Sequence, residues 1–236
     1  MTKGTIYLIP SVIAADTQEK VIPLQVKEAI GSTRYFIAET VRESRRFISS
    51  LNLGIDISAL SFEKVDKNTP ATEAEKYLKP ALEGNNIGIL SDAGCPGVAD
   101  PGALVVSIAH KMGLKVIPLV GPSSLLLALM ASGLNGQSFA FNGYLPIDAK
   151  EAIQKIGAYE KVSRTGNQTQ IFIETPYRSD RTFEILVKNL SSETVLCVAR
   201  NVTGASELIF SKSIRQWRSE EITIGKEPTV FLFMAT

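Results

Sequence analysis

The sequence predicts an α/β protein of two domains, the first built on a mainly parallel sheet and the second on a mixed one. Three observations carry this. Through residues 1–119, short apolar runs alternate with amphipathic helical segments, the pattern of a parallel sheet covered on both faces. Near residues 195–211, strand-like runs follow one another with no helical segment between them, which calls for antiparallel pairing. Apolar residues make up 44% of the 236 residues, enough for sizeable cores. The expected domains are residues 1–119 and 120–236, with the Gly121-Pro122 turn as the joint.

In order along the chain, Thr5–Ile9 is expected as a strand and Gln18–Ile30 as a helical segment, with Pro23 in its first turn or kinking it. Arg34–Ala38 is a strand, Val41–Leu51 a helix and Ala59–Phe62 a short strand. Thr69-Pro70 is a good start signal for a helix over Ala71–Leu82. Ile87–Leu90, a Gly102–Lys111 helix and a Lys115–Leu119 strand complete the first half. In the second half helices are expected at Ser123–Ala131, Glu151–Val162, Tyr177–Asn189 and Ser213–Arg218, with Ser163–Gln168 a polar connection. Strands are expected at Ser138–Phe141, Thr169–Glu174, Val195–Ala199, Glu207–Ser211 and Pro228–Met234.

The most informative stretch is Ile87 to Gly102, IGILSDAGCPGVADPG. An apolar strand opens into a loop rich in glycine and proline, at the edge where open α/β sheets bind ligands. Glycines let backbone approach a ligand, prolines stiffen the loop, and Asp92 places a negative charge at the strand tip. A loop of the same kind, Val120-Gly121-Pro122-Ser123-Ser124, follows the next strand.

Together, SDAGCPGVADPG and VIPLVGPSS resemble the SDAGTP…SDPG and PGPSA elements of the tetrapyrrole-methylase-like superfamily of S-adenosylmethionine (SAM) methyltransferases. Within it the chain most resembles the small-subunit rRNA (cytidine) ribose 2′-O-methyltransferases, as a divergent member. Looser matches follow in the family's order: TIYLIPS, AETVRESRRFI, SGLNGQSFAFNGYLP, IFIETPYRS and VLCVARNVTGASE. The departures fall on polar elements. The family's Ile-Gly-Asn-Leu after Pro10 is Ser11-Val12-Ile13-Ala14, its Glu-Asp-Thr-Arg-His is Glu39-Thr40-Val41-Arg42-Glu43, and its Glu-Ser-Pro-His-Arg is Glu174-Thr175-Pro176-Tyr177-Arg178. Its Arg-Glu-Leu-Thr-Lys is Arg200-Asn201-Val202-Thr203-Gly204.

The resemblance implies a SAM cofactor in a cleft between the domains, near Pro10, Asp92, Gly94, Cys95, Ser123 and Ser124. Asp92 would accept hydrogen bonds from donor groups of the cofactor. Its bland alternative is a turn aspartate bonded to its own backbone, and for Ser123 and Ser124 it is simple helix capping. A ribose hydroxyl is a weak nucleophile that gains from a nearby base. Glu39 and Glu174 are the carboxylates on cleft-facing strand ends in this family, each with an alternative as the ion-pair partner of Arg42 or Arg178. Arg42, Arg45 and Arg46 share a helix, with Arg42 and Arg46 on one face. With Arg178 and Arg181 they could meet RNA phosphates; a solvated helix face is the alternative. Trp217 and the other aromatic residues are sparse and read as core.

Charge is balanced, with 25 basic and 24 acidic residues, so RNA contact must come from a local patch. The single histidine, His110, excludes Ser-His, Cys-His and multi-histidine metal chemistry and reads as a helix-surface residue. Cys95 and Cys197 are too few and too isolated for a disulfide framework or a metal centre. No uninterrupted apolar window of about 18 residues exists, and the chain starts straight into a strand, so a cytoplasmic protein is expected. There is no G-x-G-x-x-G after the first strand and no G-K-[ST] of a P-loop, which argues against a nicotinamide dehydrogenase and a P-loop kinase.

The leading expectation is therefore a SAM-dependent methyltransferase acting on a ribose 2′-hydroxyl of ribosomal RNA, with the small ribosomal subunit as partner. The alternatives are a methylase of a tetrapyrrole or other small acceptor, and a SAM-binding protein without catalysis. A homodimer is expected as well. The superfamily forms them, and Leu125, Leu126, Leu127, Leu129 and Met130 make one helix apolar nearly all round.

Overall fold

The computed structural model describes residues 2–235. The chain divides between Ser123 and Ser124 into two compact units, each with its own five-stranded sheet. Both are α/β, the first sheet parallel and the second mixed.

In the first unit the strands are β1 (Thr5–Ile9), β2 (Tyr35–Ala38), β3 (Ser61–Lys64), β4 (Ile87–Leu90) and β5 (Lys115–Pro118). Their order is β3-β2-β4-β1-β5 and every pairing is parallel. The central β4 is buried along its whole length, as the unbroken apolar run of a strand covered on both faces should be. One core cluster joins Ile9, Phe36 and Leu90 to Val26, Ile30, Phe47 and Ile48. The other joins Ile6, Ile37, Ile87 and Ile89 to Leu78, Val105 and Ala109.

Proline breaks two helices that the apolar pattern alone runs together. Residues 18–30 form α1 (Gln18–Val21) and α2 (Leu24–Gly31), because Pro23, at φ −65° and ψ 156°, stands as the N-cap of α2. Residues 71–82 form α4 (Ala71–Tyr77) and α5 (Lys79–Leu82), with Pro80 in the first turn of α5. Between them lies α3 (Val41–Ser50), and α6 (Gly102–Lys111) follows β4. The third strand starts two residues later than expected, after a short 3-10 turn at Ile57–Ala59.

The second unit starts with α7 (Ser124–Ser132) and continues with β6 (Phe139–Phe141), α8 (Ala149–Gly166), β7 (Thr169–Glu174) and α9 (Ser179–Asn189). It ends with β8 (Val195–Arg200), β9 (Leu208–Ser213), α10 (Ile214–Trp217) and β10 (Thr229–Met234). The order is β6-β7-β10-β8-β9, parallel only between β6 and β7. The polar stretch expected as a connection is helical as far as Gly166. Asp148 accepts the Lys150 and Glu151 N–H groups at the start of α8, and Asn167, left-handed at φ 46°, ends it. Phe172, Phe231, Phe233 and Trp217 fill the core, and the Trp217 indole N–H donates to the Leu196 carbonyl at 2.9 Å. Tyr144 and Tyr177 depart from the expectation that the aromatic residues are core: they are 55% and 84% exposed. Among the described residues no helix is long and apolar enough to cross a membrane.

Candidate functional site

Because the first sheet is parallel, the carboxyl ends of its strands share one edge. The chain leaves β1 toward β2 and leaves β4 toward β5, in opposite directions from neighbouring strands. The two connections pack on opposite faces of the sheet, and the carboxyl edge at such a switch is the crevice position where open α/β sheets take ligands. The loops on either side of the crevice are stitched together. The Ser11 N–H donates to the Gly94 carbonyl at 2.9 Å, the Ser11 hydroxyl to the Ser91 carbonyl at 3.1 Å, and the Ser91 hydroxyl to the Gly94 carbonyl at 3.2 Å.

The loop after β5 closes on the same ground. Gly121 lies so close to buried Pro10 that a Cβ there would sit 2.2 Å from the proline Cγ, so no other residue fits without moving the β1 tip. Gly94 holds φ +71°, and a Cβ on it would meet Ile13 Cγ2 at 3.2 Å. The Cys95 thiol donates to the Pro122 carbonyl at 3.4 Å, and burial pushes its pKa up, so it packs as a neutral group. Pro10, Asp92, Gly94, Cys95 and half-buried Ser123 thus belong to one edge of the first unit, whereas Ser124 opens α7 in the second.

Three carboxyl groups stand at this edge. Asp92 accepts the Thr40 N–H at 3.0 Å and the Thr40 hydroxyl at 2.7 Å, and is otherwise exposed. It therefore bonds to the neighbouring strand's loop and not to its own turn. Asp100 accepts the Gly97 and Gly102 N–H groups, each at 2.8 Å, which folds the glycine loop back onto the start of α6. Glu39, at the end of β2, stands beside Asp92 and Asp100 at this edge. Burial, reinforced by the charges of Asp92 and Asp100, raises the Glu39 pKa above the ordinary 4.5. Burial likewise raises that of Asp100. Arg42, the alternative partner of Glu39 from the sequence, is exposed.

In the second unit, register places Glu174 and Arg200 on either side of Thr229, so the ends of β7 and β8 and the start of β10 share an edge. Segments 143–146, 174–178 and 200–207, which carry three of the family-like motifs, come together there. Glu174 is committed inside this unit. One oxygen accepts the Thr175 N–H at 2.7 Å; the other accepts the Thr182 hydroxyl at 2.8 Å and pairs with Arg178 at 3.1 Å, with no exposed side-chain surface. Arg178 also donates to the Leu145 carbonyl at 2.9 Å. These two residues brace loops against α9, the ion-pair arrangement that the sequence offered as the alternative to their roles as base and phosphate contact. Arg181 remains exposed. In the neighbouring loop Thr203 holds φ +70°, unusual for a β-branched residue, and its hydroxyl and the Arg200 Nε are buried without a partner.

On α3, Arg42 and Arg46 are exposed, Arg46 pairs with Glu43 at 3.0 Å, and Arg45 lies 5.1 Å from the Phe62 ring centroid. Sequence reading missed Thr40 and Asp100. Thr40-x-x-Glu43 has the spacing of a capping box, yet the Thr40 hydroxyl goes to Asp92 and Glu43 to Arg46. No local signal links Asp100 to Glu39, since β2 and β4 meet only in the sheet.

No protein-family model matches the chain. It is 30% identical over 232 residues to the ribosomal RNA small subunit methyltransferase I of Vibrio cholerae, covering 96% of this chain and 76% of that protein. The proteins of that name from Escherichia coli O157:H7 and Bacillus subtilis are each 28% identical, over 93% and 94% of this chain and 74% and 73% of their own lengths. Among solved structures, the methyltransferase CobJ superposes with a TM-score of 0.63 at 18% identity, covering 99% of this chain and 95% of that one. A conserved hypothetical protein, APE0931 from Aeropyrum pernix K1, gives 0.64 at 13% identity over 99% and 85%. These two likenesses show a shared fold. With its relatedness extending over 96% of its length, the chain belongs to the ribosomal RNA small subunit methyltransferase I family.

Proposed function

We propose that the chain is a SAM-dependent methyltransferase that modifies a ribose 2′-hydroxyl of the small-subunit ribosomal RNA in the cytoplasm. The observation that carries the cofactor reading is the charge of the crevice edge. Glu39, Asp92 and Asp100 gather there, and among the described residues no group of His, Cys, Asp or Glu is placed to hold a metal ion. An edge with three carboxyl groups repels phosphate-bearing cofactors and suits a ligand with a sulfonium, an ammonium and ribose hydroxyls to donate. SAM supplies a methyl group on a cationic sulfur, ready for displacement by an oxygen nucleophile.

The chain's own groups then divide the work. Asp92, fixed by Thr40, accepts hydrogen bonds from the cofactor's donors. Gly94 and the Ser11 stitch hold the loop at backbone distance from it. Glu39, a carboxyl group at the same edge, is the group that would take the proton from the hydroxyl. The substrate reading follows the family, whose named members act on the small ribosomal subunit's RNA, and the exposed arginines of α3 suit phosphate. A twofold dimer goes with it: Leu126 and Met130, four residues apart on α7, are 51% and 79% exposed. Light scattering at micromolar concentration should return twice the chain mass, and a monomer would refute the dimer.

Calorimetry tests the cofactor assignment. SAM should bind at one site per chain and NAD not at all; NAD binding without SAM binding would overturn the reading.

A further inference from the structure

Aromatic rings in this protein are mostly buried; Phe139 and Phe210 are exposed on the edge strands β6 and β9, and two exposed tyrosines stand on joined loops at the end of the second sheet. Tyr177 is 84% exposed, Tyr144 55%, and Ile147, on the same loop as Tyr144, 73%. The two loops are joined: the Ile173 N–H donates to the Gly143 carbonyl at 3.0 Å, and Arg178 donates to the Leu145 carbonyl at 2.9 Å. Tyr144 and Tyr177 each sit one residue from that last bond. Lys226 Nζ lies 6.0 Å from the Tyr177 ring centroid, and Arg181 is exposed in the first turn of α9. The acids close by in the chain already have partners. Asp180 accepts the Ile224 and Gly225 N–H groups, Glu174 holds Arg178, and Glu227 accepts the Ser206 hydroxyl. Lys226 and Arg181 are the cations beside the rings, with the neighbouring Asp180 and Glu227 carboxylates held in hydrogen bonds.

Exposed rings flanked by cations are the chemistry that holds unpaired nucleotides, since a base stacks on the ring while its phosphates meet the cations. We propose that Tyr177, with Tyr144 beside it, is a stacking platform for an unpaired base of the RNA this enzyme methylates, and that Lys226 and Arg181 take the flanking phosphates. The proposal rests on the RNA reading above. It makes Tyr177 a specificity residue: a base held in a duplex cannot reach the ring, so the platform selects single-stranded or looped target.

The test uses the full chain and a fluorescein-labelled single-stranded oligoribonucleotide, with the same sequence annealed into a duplex as comparison. Tyr177→Ala should weaken single-strand binding about 5- to 100-fold. Tyr177→Phe, which keeps the ring, should bind within about twofold of wild type. Duplex binding should be weaker than single-strand binding in wild type and unmoved by Tyr177→Ala. SAM affinity by calorimetry should be equal in all variants. Single-strand binding by Tyr177→Ala at wild-type strength overturns the proposal, as does an equal loss in Tyr177→Phe, which would implicate the hydroxyl. A fall from dimer to monomer mass in Tyr177→Ala also overturns it, by placing the ring against a second copy. Absence of any RNA binding and of any methyl transfer to ribosomal subunits by wild type is different: it removes the RNA reading itself.

Discussion

Thr40 and Asp92 form a double clasp between adjacent strand ends: the Asp92 carboxylate accepts the Thr40 N–H at 3.0 Å and the Thr40 hydroxyl at 2.7 Å. The clasp orients a carboxylate that still presents lone pairs to the crevice. Asp92→Ala should weaken SAM binding about ten- to a hundredfold, the loss of a charge-assisted hydrogen bond of about 1.5–3 kcal/mol. Thr40→Val leaves the carboxylate but removes one of its two restraints, so its loss should be smaller. Calorimetric titration of both variants decides, and wild-type affinity in Asp92→Ala removes the residue from the site.

Glu39 makes stability depend on pH in a definite direction. Burial, with the Asp92 and Asp100 charges, raises its folded pKa above the ordinary 4.5. Between those values the folded chain holds more protons at Glu39 than the unfolded chain. Stability from this group is therefore full in acid and falls as pH rises through the raised value. Glu39→Gln cannot ionise, so its melting temperature should fall less than that of wild type from 4.5 upward. Asp100, also raised by burial, leaves some slope in the variant. Parallel melting profiles for the two proteins would show that Glu39 carries none of the pH dependence.

Glu174 has the opposite character, a buried and fully bonded carboxylate inside the second unit. Glu174→Ala leaves Arg178 and Thr182 without their partner and should cost about 3–5 kcal/mol of stability, the penalty of breaking a buried pair. Its SAM affinity should be unchanged at temperatures where it is folded. A variant as stable as wild type but without transfer activity would restore Glu174 as a catalytic residue.

The α3 arginines carry the salt dependence of RNA binding. The exposed Arg46–Glu43 pair is worth at most about 1 kcal/mol, so phosphate can displace it. Changing Arg42 and Arg46 together to Ala should flatten the log–log salt slope by about 0.7 for each phosphate the variant no longer neutralises, with SAM affinity intact. An unchanged slope means the face is merely solvated.

Much of this was legible from residue order. The strand runs Thr5–Ile9, Ile87–Leu90 and Thr169–Glu174 carry their own boundaries, in apolar stretches ended by proline, glycine or small polar residues. The SDAG and GPSS loops mark the carboxyl edge of the first sheet, where open α/β sheets take ligands. Other features depend on residues far apart in sequence. Glu174 and Arg178 are an obvious pair at i and i+4, but their burial comes from Leu145 and Thr182. Glu39 has Arg42 nearby in sequence, yet faces Asp100, which only sheet pairing brings to it. Tyr177 looks like any other aromatic residue until the turn after β7 puts it at the edge. Pro23 separates α1 from α2 as the extended N-cap of the second, whereas before Pro80 only Leu78, still in the right-handed region, stands between α4 and α5.

The central claim is methyl transfer from SAM to a ribose 2′-oxygen of small-subunit ribosomal RNA. Its most direct test incubates the chain and methyl-labelled SAM with small ribosomal subunits from cells lacking this protein, then maps the label by nucleoside analysis. The account predicts label on one ribose 2′-oxygen, dependent on Asp92 and on unpaired target RNA. Label on a base, or none on RNA while a small-molecule acceptor is methylated, would contradict it.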